Sequence, residues 1–404
     1  MNIKINNFKL KKKVIPNVWI IIFIGYLVYC ISYIISNLLS FDLNKYGFIF
    51  FILTTIFCTI LKDREIKKAD SLSYLIIIFI TILFIPFLYN KNFINLEMFL
   101  KYLGFFTILL ICYSKNLIDI NKNKFRYFYF ILIIAILLTS FLFKRTEVAG
   151  EMRLKGFFVN PNNLALFSFS LLFFLDEEHD KKIMKIMTHF IIIGLLIMSA
   201  TSGAIIAYMV GMVYKVIKTP QRKILFFILI ILLAIASGYF IEKIPFLIRI
   251  KNQVAIVFEE RYKLSNYYYN VDYGELRERY GVAGVTSGLN RIQIWMRAMT
   301  LFGEQNMVYK LFGGGARYSE VLCTIIPHNE YIRILLDYGI IGLFIFLSIF
   351  FNILKRSKDN YRYIILIILI FCITENNLDN MLFMSLFSLF LPSAIKKHNG
   401  LLEN

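Results

Sequence analysis

The sequence PHNEYIRILLDYG, residues 327–339, contains the end of the longest polar segment of the chain and the start of a predicted membrane span. Upstream of this junction, residues 242–329 hold seven arginines and one histidine. These are Arg249, Arg261, Arg277, Arg279, Arg291, Arg297, Arg317 and His328. Most of the remaining chain is apolar. A membrane protein that leaves one sizeable segment in water is expected to place its active or binding site there.

The composition indicates a polytopic helical membrane protein. Hydrophobic residues make up 58% of the 404 residues, whereas a soluble domain has about 45–50%. The excess is concentrated in runs of about 17–24 residues, the length that crosses a hydrocarbon core of roughly 30 Å. A transmembrane β-barrel would need alternating segments of about ten residues, and the sequence has none. The predicted fold class is therefore all-α.

Hydropathy predicts about twelve spans and three regions. The spans cover residues 18–39, 46–61, 72–89, 96–113, 127–143, 156–175, 183–198, 203–217, 224–241, 331–354, 363–373 and 378–394. Residues 1–241 carry the first nine spans, residues 242–329 form a large loop with interfacial helices, and residues 330–404 carry three more spans and a tail. Within the loop, the apolar spacing of residues 289–302 predicts a helix lying along the interface. Residues 313–315, three glycines, predict a flexible turn.

The basic charge predicts the orientation of the chain. A formal net charge of +19 could indicate nucleic-acid binding, but the lysines and arginines are divided among many short loops, so we exclude that class. With both termini in the cytoplasm, the inner short segments hold 25 lysines and arginines and the outer ones hold six, as the positive-inside rule requires. The long loop is then extracytoplasmic. The first span is predicted to be an uncleaved signal anchor, because its apolar run is too long for a signal peptide.

Two arginines are candidates for binding an anion at the outer surface. Four of the six outer charges fall in residues 144–156, among them Arg153, and topology does not favour them there. Arg291 stands at the start of the predicted interfacial helix. A guanidinium forms bidentate, charge-assisted hydrogen bonds that suit a diphosphate. Contact with lipid headgroups is the alternative role for each arginine.

His328 is the candidate for acid–base chemistry. Of the four histidines in the chain, His328 is the one at the junction between an outer segment and a predicted span. Its imidazole could act as general base toward a hydroxyl nucleophile near neutral pH. The alternative is a histidine that caps the helix, helped by Asn329. The five cysteines show no disulfide or metal-binding spacing, so neither a metal nor another cofactor is predicted.

Three further segments carry polar side chains near the predicted site. Asn160 and Asn162, on either side of a proline, are costly at the start of a span unless they are satisfied, so they predict a broken helix end that lines a polar cavity. Tyr268 belongs to a tyrosine-rich tract that suits either sugar rings or an interfacial belt. Residues 375–379, between the last two spans, could reach the same outer cavity.

Three motifs resemble those of the O-antigen ligase and polymerase family. The first is RLKGFFVNPN at residues 153–162, and the second is RIQIW at residues 291–295 followed by LFGGG at residues 311–315. The third and most specific is HNEY at residues 328–331 with LLDYGIIGL at residues 335–343. The motifs follow the family's order, and the resemblance covers most of the chain from about residue 125.

The resemblance implies a membrane glycosyltransferase of the GT-C-like, all-helical type, in the bacterial cytoplasmic membrane. It implies a donor glycan on undecaprenyl diphosphate, no metal, His328 as the base and Arg291 as a diphosphate ligand. Asn160, Asn162, Glu330, Tyr331 and Tyr268 are the predicted substrate-binding residues. The family often has a Ser-Arg pair in the short link between two spans, but residues 199–202 read SATS. We therefore assign the second diphosphate-binding role to Arg153 and Arg249.

The predicted function is a polysaccharide repeat-unit polymerase that transfers a lipid-linked glycan to a lipid-linked acceptor sugar. A ligase that delivers the glycan to lipid A core or to a protein is the alternative, and the missing Ser-Arg pair favours the polymerase. A transporter or flippase for lipid-linked glycans is the alternative of another class. It would require charged residues at mid-span and paired half-length spans. Partners expected from the family are a chain-length regulator and a flippase.

Overall fold

The computed structural model describes residues 18–39, 43–61, 70–90, 95–114, 125–142, 145–148, 151–175, 180–218 and 290–395, with a few isolated positions between 248 and 279. The chain divides into two compact units, residues 1–67 and residues 68–404. The predicted ninth span, Arg249 and Tyr268 lie outside the described residues.

The first unit is a pair of apolar helices, α1 (Val18–Leu39) and α2 (Asn44–Leu61). Aromatic rings join them: Tyr26 meets Phe51 edge-on with ring centroids 5.7 Å apart, and Tyr29 stacks on the same ring at 6.3 Å. Offset and edge-on arrangements of this kind are the favoured geometries of aromatic pairs. The predicted first two spans are confirmed as helices.

The second unit contains twelve α-helices among its described residues. They are α3 (Ser71–Phe84), α4 (Leu96–Ser114), α5 (Phe125–Thr139), α6 (Pro161–Ser168), α7 (Lys182–Ser199), α8 (Ser202–Ile217), α9 (Asn290–Glu304), α10 (Met307–Phe312), α11 (Tyr318–Cys323), α12 (Glu330–Arg356), α13 (Asp359–Phe371) and α14 (Met381–Ala394). Short 3-10 turns cover Ile85–Leu88, Ser140–Leu142, Phe169–Phe174 and Asn377–Asp379.

Five described helical segments are long and apolar enough to cross a membrane. They are Ile20–Leu39, Ser71–Leu88, Leu96–Ser114, Lys182–Ser199 and Glu330–Arg356. The other apolar helices are shorter, and α14, which is short and has no charged residue, is buried along its whole length. A helix without a polar face is expected at the centre of a bundle. The count of twelve spans stays a prediction.

Two segments depart from the helices and loops that the sequence predicts. Residues 144–156 were expected to be a loop, but a β-hairpin forms there, with β1 (Arg145–Val148) paired antiparallel to β2 (Glu151–Leu154). The predicted sixth span, 156–175, is not one helix. Asn160 caps α6 by accepting a hydrogen bond from the Asn163 N–H at 2.8 Å, and the helix tightens into a 3-10 turn after eight residues. Proline at the first helical position fixes this late start.

Helix α12 is broken at Gly339, and the glycine turn of residues 313–315 fills the break. Gly339 has φ 71° and ψ −174°, a conformation that is essentially restricted to glycine. The Gly314 N–H donates to the Leu336 carbonyl at 3.1 Å, and the Gly315 N–H donates to the Asp337 carbonyl at 2.8 Å. The turn predicted to be flexible is therefore docked, because it satisfies carbonyls that the break releases.

The buried Asp337 carboxylate extends this contact, which we call the glycine clasp (residues 313–315 and 336–339). It accepts hydrogen bonds from the Ser319 N–H at 2.7 Å and the Arg317 N–H at 3.1 Å. Beside it, Ala298 of α9 and Leu336 of α12 share a small buried core. The helix predicted over residues 289–302 is confirmed as α9, and the clasp holds the segment that follows it against the first half of α12.

Candidate functional site

His328 precedes α12 and is not the residue that caps it. The Asn329 side chain accepts a hydrogen bond from the Ile332 N–H at 3.1 Å, which is the capping contact. His328 has φ 48°, in the left-handed region that costs energy for residues other than glycine. Trp295 donates from Nε1 to the Pro327 carbonyl at 2.8 Å and so ties α9 to this turn. The imidazole is thereby left free for another role, and about a third of its side chain is exposed.

The imidazole of His328 is held by Glu375, which lies between α13 and α14. Nδ1 of His328 is 3.0 Å from Oε1 of Glu375. The Glu375 side chain is only 8% exposed, so the pair is shielded from water on the carboxylate side. When Nδ1 donates to this carboxylate, Nε2 keeps its lone pair and can accept a proton.

The second oxygen of Glu375 connects two more predicted site residues. Oε2 accepts a hydrogen bond from the Asn162 amide of α6 and lies 3.4 Å from NH2 of Arg291 in α9. Burial acts to raise the pKa of the Glu375 carboxyl, but the hydrogen bond and charge of His328 and the charge of Arg291 hold it below its usual value. Glu375 therefore carries its negative charge at neutral pH.

Arg153 lies on the far side of Asn162. Its Nε donates to the Ser199 carbonyl at 2.8 Å, and its NH2 group lies 3.2 Å from Thr201 Oγ1 and 3.4 Å from Asn162 Oδ1. Strand β2 thus delivers a buried guanidinium to the link between α7 and α8. This is the link in which the sequence lacks the family's Ser-Arg pair.

The charges of this site, which we call the Glu375 cluster (Arg153, Asn162, Arg291, His328 and Glu375), suit an anionic ligand. The cluster contains two guanidinium groups and one carboxylate, of which Arg291 contacts the carboxylate directly, so its formal charge is positive even with the imidazole neutral. A diphosphate would be bound by charge-assisted hydrogen bonds. Among the residues that the structure describes, no group of three or more His, Cys, Asp or Glu side chains is arranged to hold a metal ion.

Two predicted substrate-binding residues are placed in the packing of the helices instead. Glu330 is fully buried, and its carboxylate binds Arg333 NH2 at 2.7 Å and the Leu378 N–H at 3.0 Å. Tyr331 donates from its hydroxyl to the Leu369 carbonyl at 2.7 Å. Because helix α12 turns both side chains toward its neighbours, their contacts favour a structural role over the predicted contact with substrate.

Asn160 and Asn162, which were also predicted to bind substrate, have different contacts. Asn160 acts as the cap of α6, while Asn162, two residues later, reaches the Glu375 cluster. Of residues 375–379, Glu375 supplies the carboxylate of the Glu375 cluster, and their contact with a polar cavity stays a prediction. The sequence signal that could have singled out Glu375 is a carboxylate between two short apolar spans, where an unpaired charge would be costly.

Comparison with known proteins supports the resemblance. The sequence profile described as O-antigen ligase matches residues 187–347, which include Arg291 and His328. None of the curated proteins matches the chain significantly. Together with the five long apolar helices, the match indicates an integral membrane protein that resembles the O-antigen ligase and polymerase family.

Proposed function

We propose, from the chemistry shared by O-antigen ligases and polymerases, that this protein is a polysaccharide repeat-unit polymerase. It transfers a glycan from undecaprenyl diphosphate to a lipid-linked acceptor sugar at the outer face of the bacterial cytoplasmic membrane. The observation that carries the proposal is the 3.0 Å contact of His328 with Glu375, beside the guanidinium of Arg291.

His328 acts as the general base in this proposal. Glu375 accepts a hydrogen bond from the Nδ1–H of His328 and orients the ring, so Nε2 faces the acceptor hydroxyl. The hydroxyl oxygen bonds to the anomeric carbon of the donor with inversion, while its proton passes to Nε2. The bond from that carbon to the diphosphate oxygen breaks, and undecaprenyl diphosphate leaves. General-base catalysis contributes roughly 10²–10⁴-fold to such a step.

The arginines stabilise the leaving group. Arg291 is partly exposed and paired only weakly with Glu375 at 3.4 Å, so its remaining N–H groups are available to the diphosphate. Arg153 is buried against residues 199–201 and adds positive charge from behind Asn162. Fixed cations placed where negative charge develops are among the largest contributions to catalysis, and the proposal needs neither a metal nor another cofactor.

A ligase is the second candidate, and the position of Arg153 favours it. The sequence reason for preferring a polymerase was the missing arginine in residues 199–202. Arg153 of β2 places a guanidinium at that link, so the missing Ser-Arg pair no longer favours the polymerase over the ligase. A ligase would use the same donor and the same base and would differ only in its acceptor.

The charges within α12 do not favour a transporter. Glu330 and Arg333 pair with each other, Arg333 also binds Asp379 at 2.5 Å, and Asp337 is occupied by two backbone N–H groups. A transport pathway needs polar groups that are available to the substrate. These side chains are instead engaged in helix packing.

Glycan profiling tests the proposal in a host whose own gene is deleted. Cells are complemented with wild type, His328→Ala or Arg291→Ala, and the membrane level of each variant is measured. Single repeat units in both variants support the polymerase, and long chains that remain on undecaprenyl diphosphate support the ligase. Full-length attached polymer from both variants contradicts the assigned site. Arg279→Ala is the matched control, because this arginine is exposed and pairs with Glu259 at 3.2 Å.

A further inference from the structure

A buried amide with no hydrogen-bond partner among the described residues comes directly after Glu375 in the chain. Asn376 follows Glu375 directly and is only 5% exposed. Neither Nδ2 nor Oδ1 of its side chain has a hydrogen-bond partner within the described part of the chain. The Oδ1 atom of Asn377 is also buried and unpartnered there. Buried polar atoms are almost always paired, so this group requires an explanation.

Asn376 stands at a helix N-cap position, but its side chain does not act as a cap. Among the described residues, five other asparagines directly precede a helix, and each accepts a hydrogen bond from a backbone N–H of that helix. These are Asn95, Asn160, Asn306, Asn329 and Asn380. Asn376 occupies the same position before the 3-10 turn Asn377–Asp379, yet its side chain makes no capping bond. Helix capping, the usual reason for asparagine at this position, therefore does not account for it.

The segment that carries Asn376 runs along the start of α6. Glu375 binds Asn162 at one end of the segment, and Asn380 donates to the Asn163 carbonyl at 3.3 Å at the other. Asn376 is thus held between two contacts to the helix that contributes to the Glu375 cluster. A ligand bound at that cluster by its diphosphate would place its first sugar within the same polar region.

We propose that Asn376 recognises the saccharide of the lipid-linked substrate through hydrogen bonds from its amide. An amide offers two donors and a carbonyl acceptor, which matches neighbouring sugar hydroxyls or an N-acyl substituent. Asn376 is then a specificity-determining residue of the proposed glycosyl transfer, and the inference rests on that function. No described residue compensates the burial of this amide, so the amide is expected to cost the fold stability when no substrate is bound.

Binding by the purified full-length protein in detergent tests the inference with two probes. One is the lipid-linked repeat unit extracted from the deletion host, and the other is undecaprenyl diphosphate without sugar. For Asn376→Leu, which keeps the side-chain size, we expect affinity for the glycosylated probe to fall by about tenfold or more and affinity for undecaprenyl diphosphate to stay unchanged. Thermal stability without ligand should be equal to or higher than that of wild type.

Ser385→Ala is the matched control. Ser385 is also buried and its hydroxyl is unpartnered among the described residues, but it lies inside α14, so its removal should leave both affinities unchanged. If Asn376→Leu does not fold, Asn376→Ala replaces it, because alanine removes both donors and the acceptor without adding a charge and should show the same selective loss.

The outcomes separate this inference from the proposed function. Equal affinities of wild type and the Asn376 variant for the glycosylated probe overturn the inference alone, as does an equal loss for both probes. If an ordered water binds the amide instead, the Asn376 variant should bind the glycosylated probe as well as wild type does, and it should be less thermally stable than wild type. If wild type binds neither probe and transfers no glycan, the proposed function itself is wrong.

Discussion

Glu375 is the residue on which the geometry of the candidate site depends. One carboxylate contacts His328, Arg291 and Asn162, which come from three separate parts of the chain. For Glu375→Gln we expect glycan transfer to fall by roughly 10²-fold or more, because the amide can present a donor to Nδ1 and favour the wrong tautomer. The measurement is the initial rate of polymer formation by purified variants with the lipid-linked repeat unit.

Glu259→Gln is the control for this substitution, since Glu259 is exposed and pairs with Arg279. Unchanged rates for Glu375→Gln would contradict the proposed orienting role of Glu375.

The stability difference between wild type and Glu375→Gln is predicted to depend on pH. The pKa of Glu375 in the folded protein lies below its ordinary value of 4.5. A group with a lowered folded pKa stabilises the protein fully above its unfolded pKa and loses this contribution as the pH falls through the folded value. Wild type should therefore unfold at a higher temperature than Glu375→Gln at pH 7, and the difference should shrink below about pH 4.5. A difference that grows on acidification would contradict this account.

At the scale of elements, the glycine clasp determines how α12 and the segment before it fit together. Gly313 (φ 75°, ψ −172°) and Gly339 (φ 71°, ψ −174°) both adopt a glycine-only conformation. A Cβ on Gly313 would overlap the Asp337 carbonyl, and one on Gly339 would overlap the Leu311 carbonyl. The two motifs that contain these glycines are therefore halves of one contact.

Alanine at either glycine should destabilise the protein by at least about 1–3 kcal/mol. The expected result for Gly313→Ala and Gly339→Ala is a lower thermal unfolding temperature in detergent and a lower membrane level. Gly303→Ala is the control: it lies in α9, a Cβ there meets nothing within 4 Å, and alanine favours a helix by roughly 0.5–1 kcal/mol. Similar losses for all three variants would show that the clasp has no special role.

At the scale of the whole molecule, the distribution of charge predicts which side of the membrane holds the site. The five native cysteines are buried, so single introduced cysteines can report topology with little background. We expect a membrane-impermeant thiol reagent to label Arg279→Cys in intact cells and to label Lys397→Cys only after permeabilisation. The reason is the excess of lysine and arginine in the predicted inner loops.

Each labelling result also bears on the donor. Labelling of the tail rather than the loop in intact cells would reverse the orientation and place the Glu375 cluster at the cytoplasmic face. A lipid-linked glycan that has already been flipped could not then be its substrate.

The membrane class and most of the described helices were predictable from the sequence, because hydropathy and helical periodicity depend on neighbouring residues. The role of His328 as the base stays a prediction. The cap at Asn329 and the helix over residues 289–302 are equally local. Residues 144–156 were mispredicted because a short hairpin carries little periodic signal, and the break within residues 156–175 was only partly indicated by Pro161.

The composition of the site required the tertiary structure. Glu375 lies 47 residues from His328, 84 from Arg291 and 213 from Asn162, and no local pattern specifies those pairings. The position of Glu330 at the start of α12 was predictable from the sequence, but its burial and its pairing with Arg333 follow from how α12 packs. Its contact with substrate stays a prediction. The sequence alone determined which elements form and which polar groups cannot be left in lipid. Only packing decided which of those groups meet, because each pairing depends on helices that are distant in the chain.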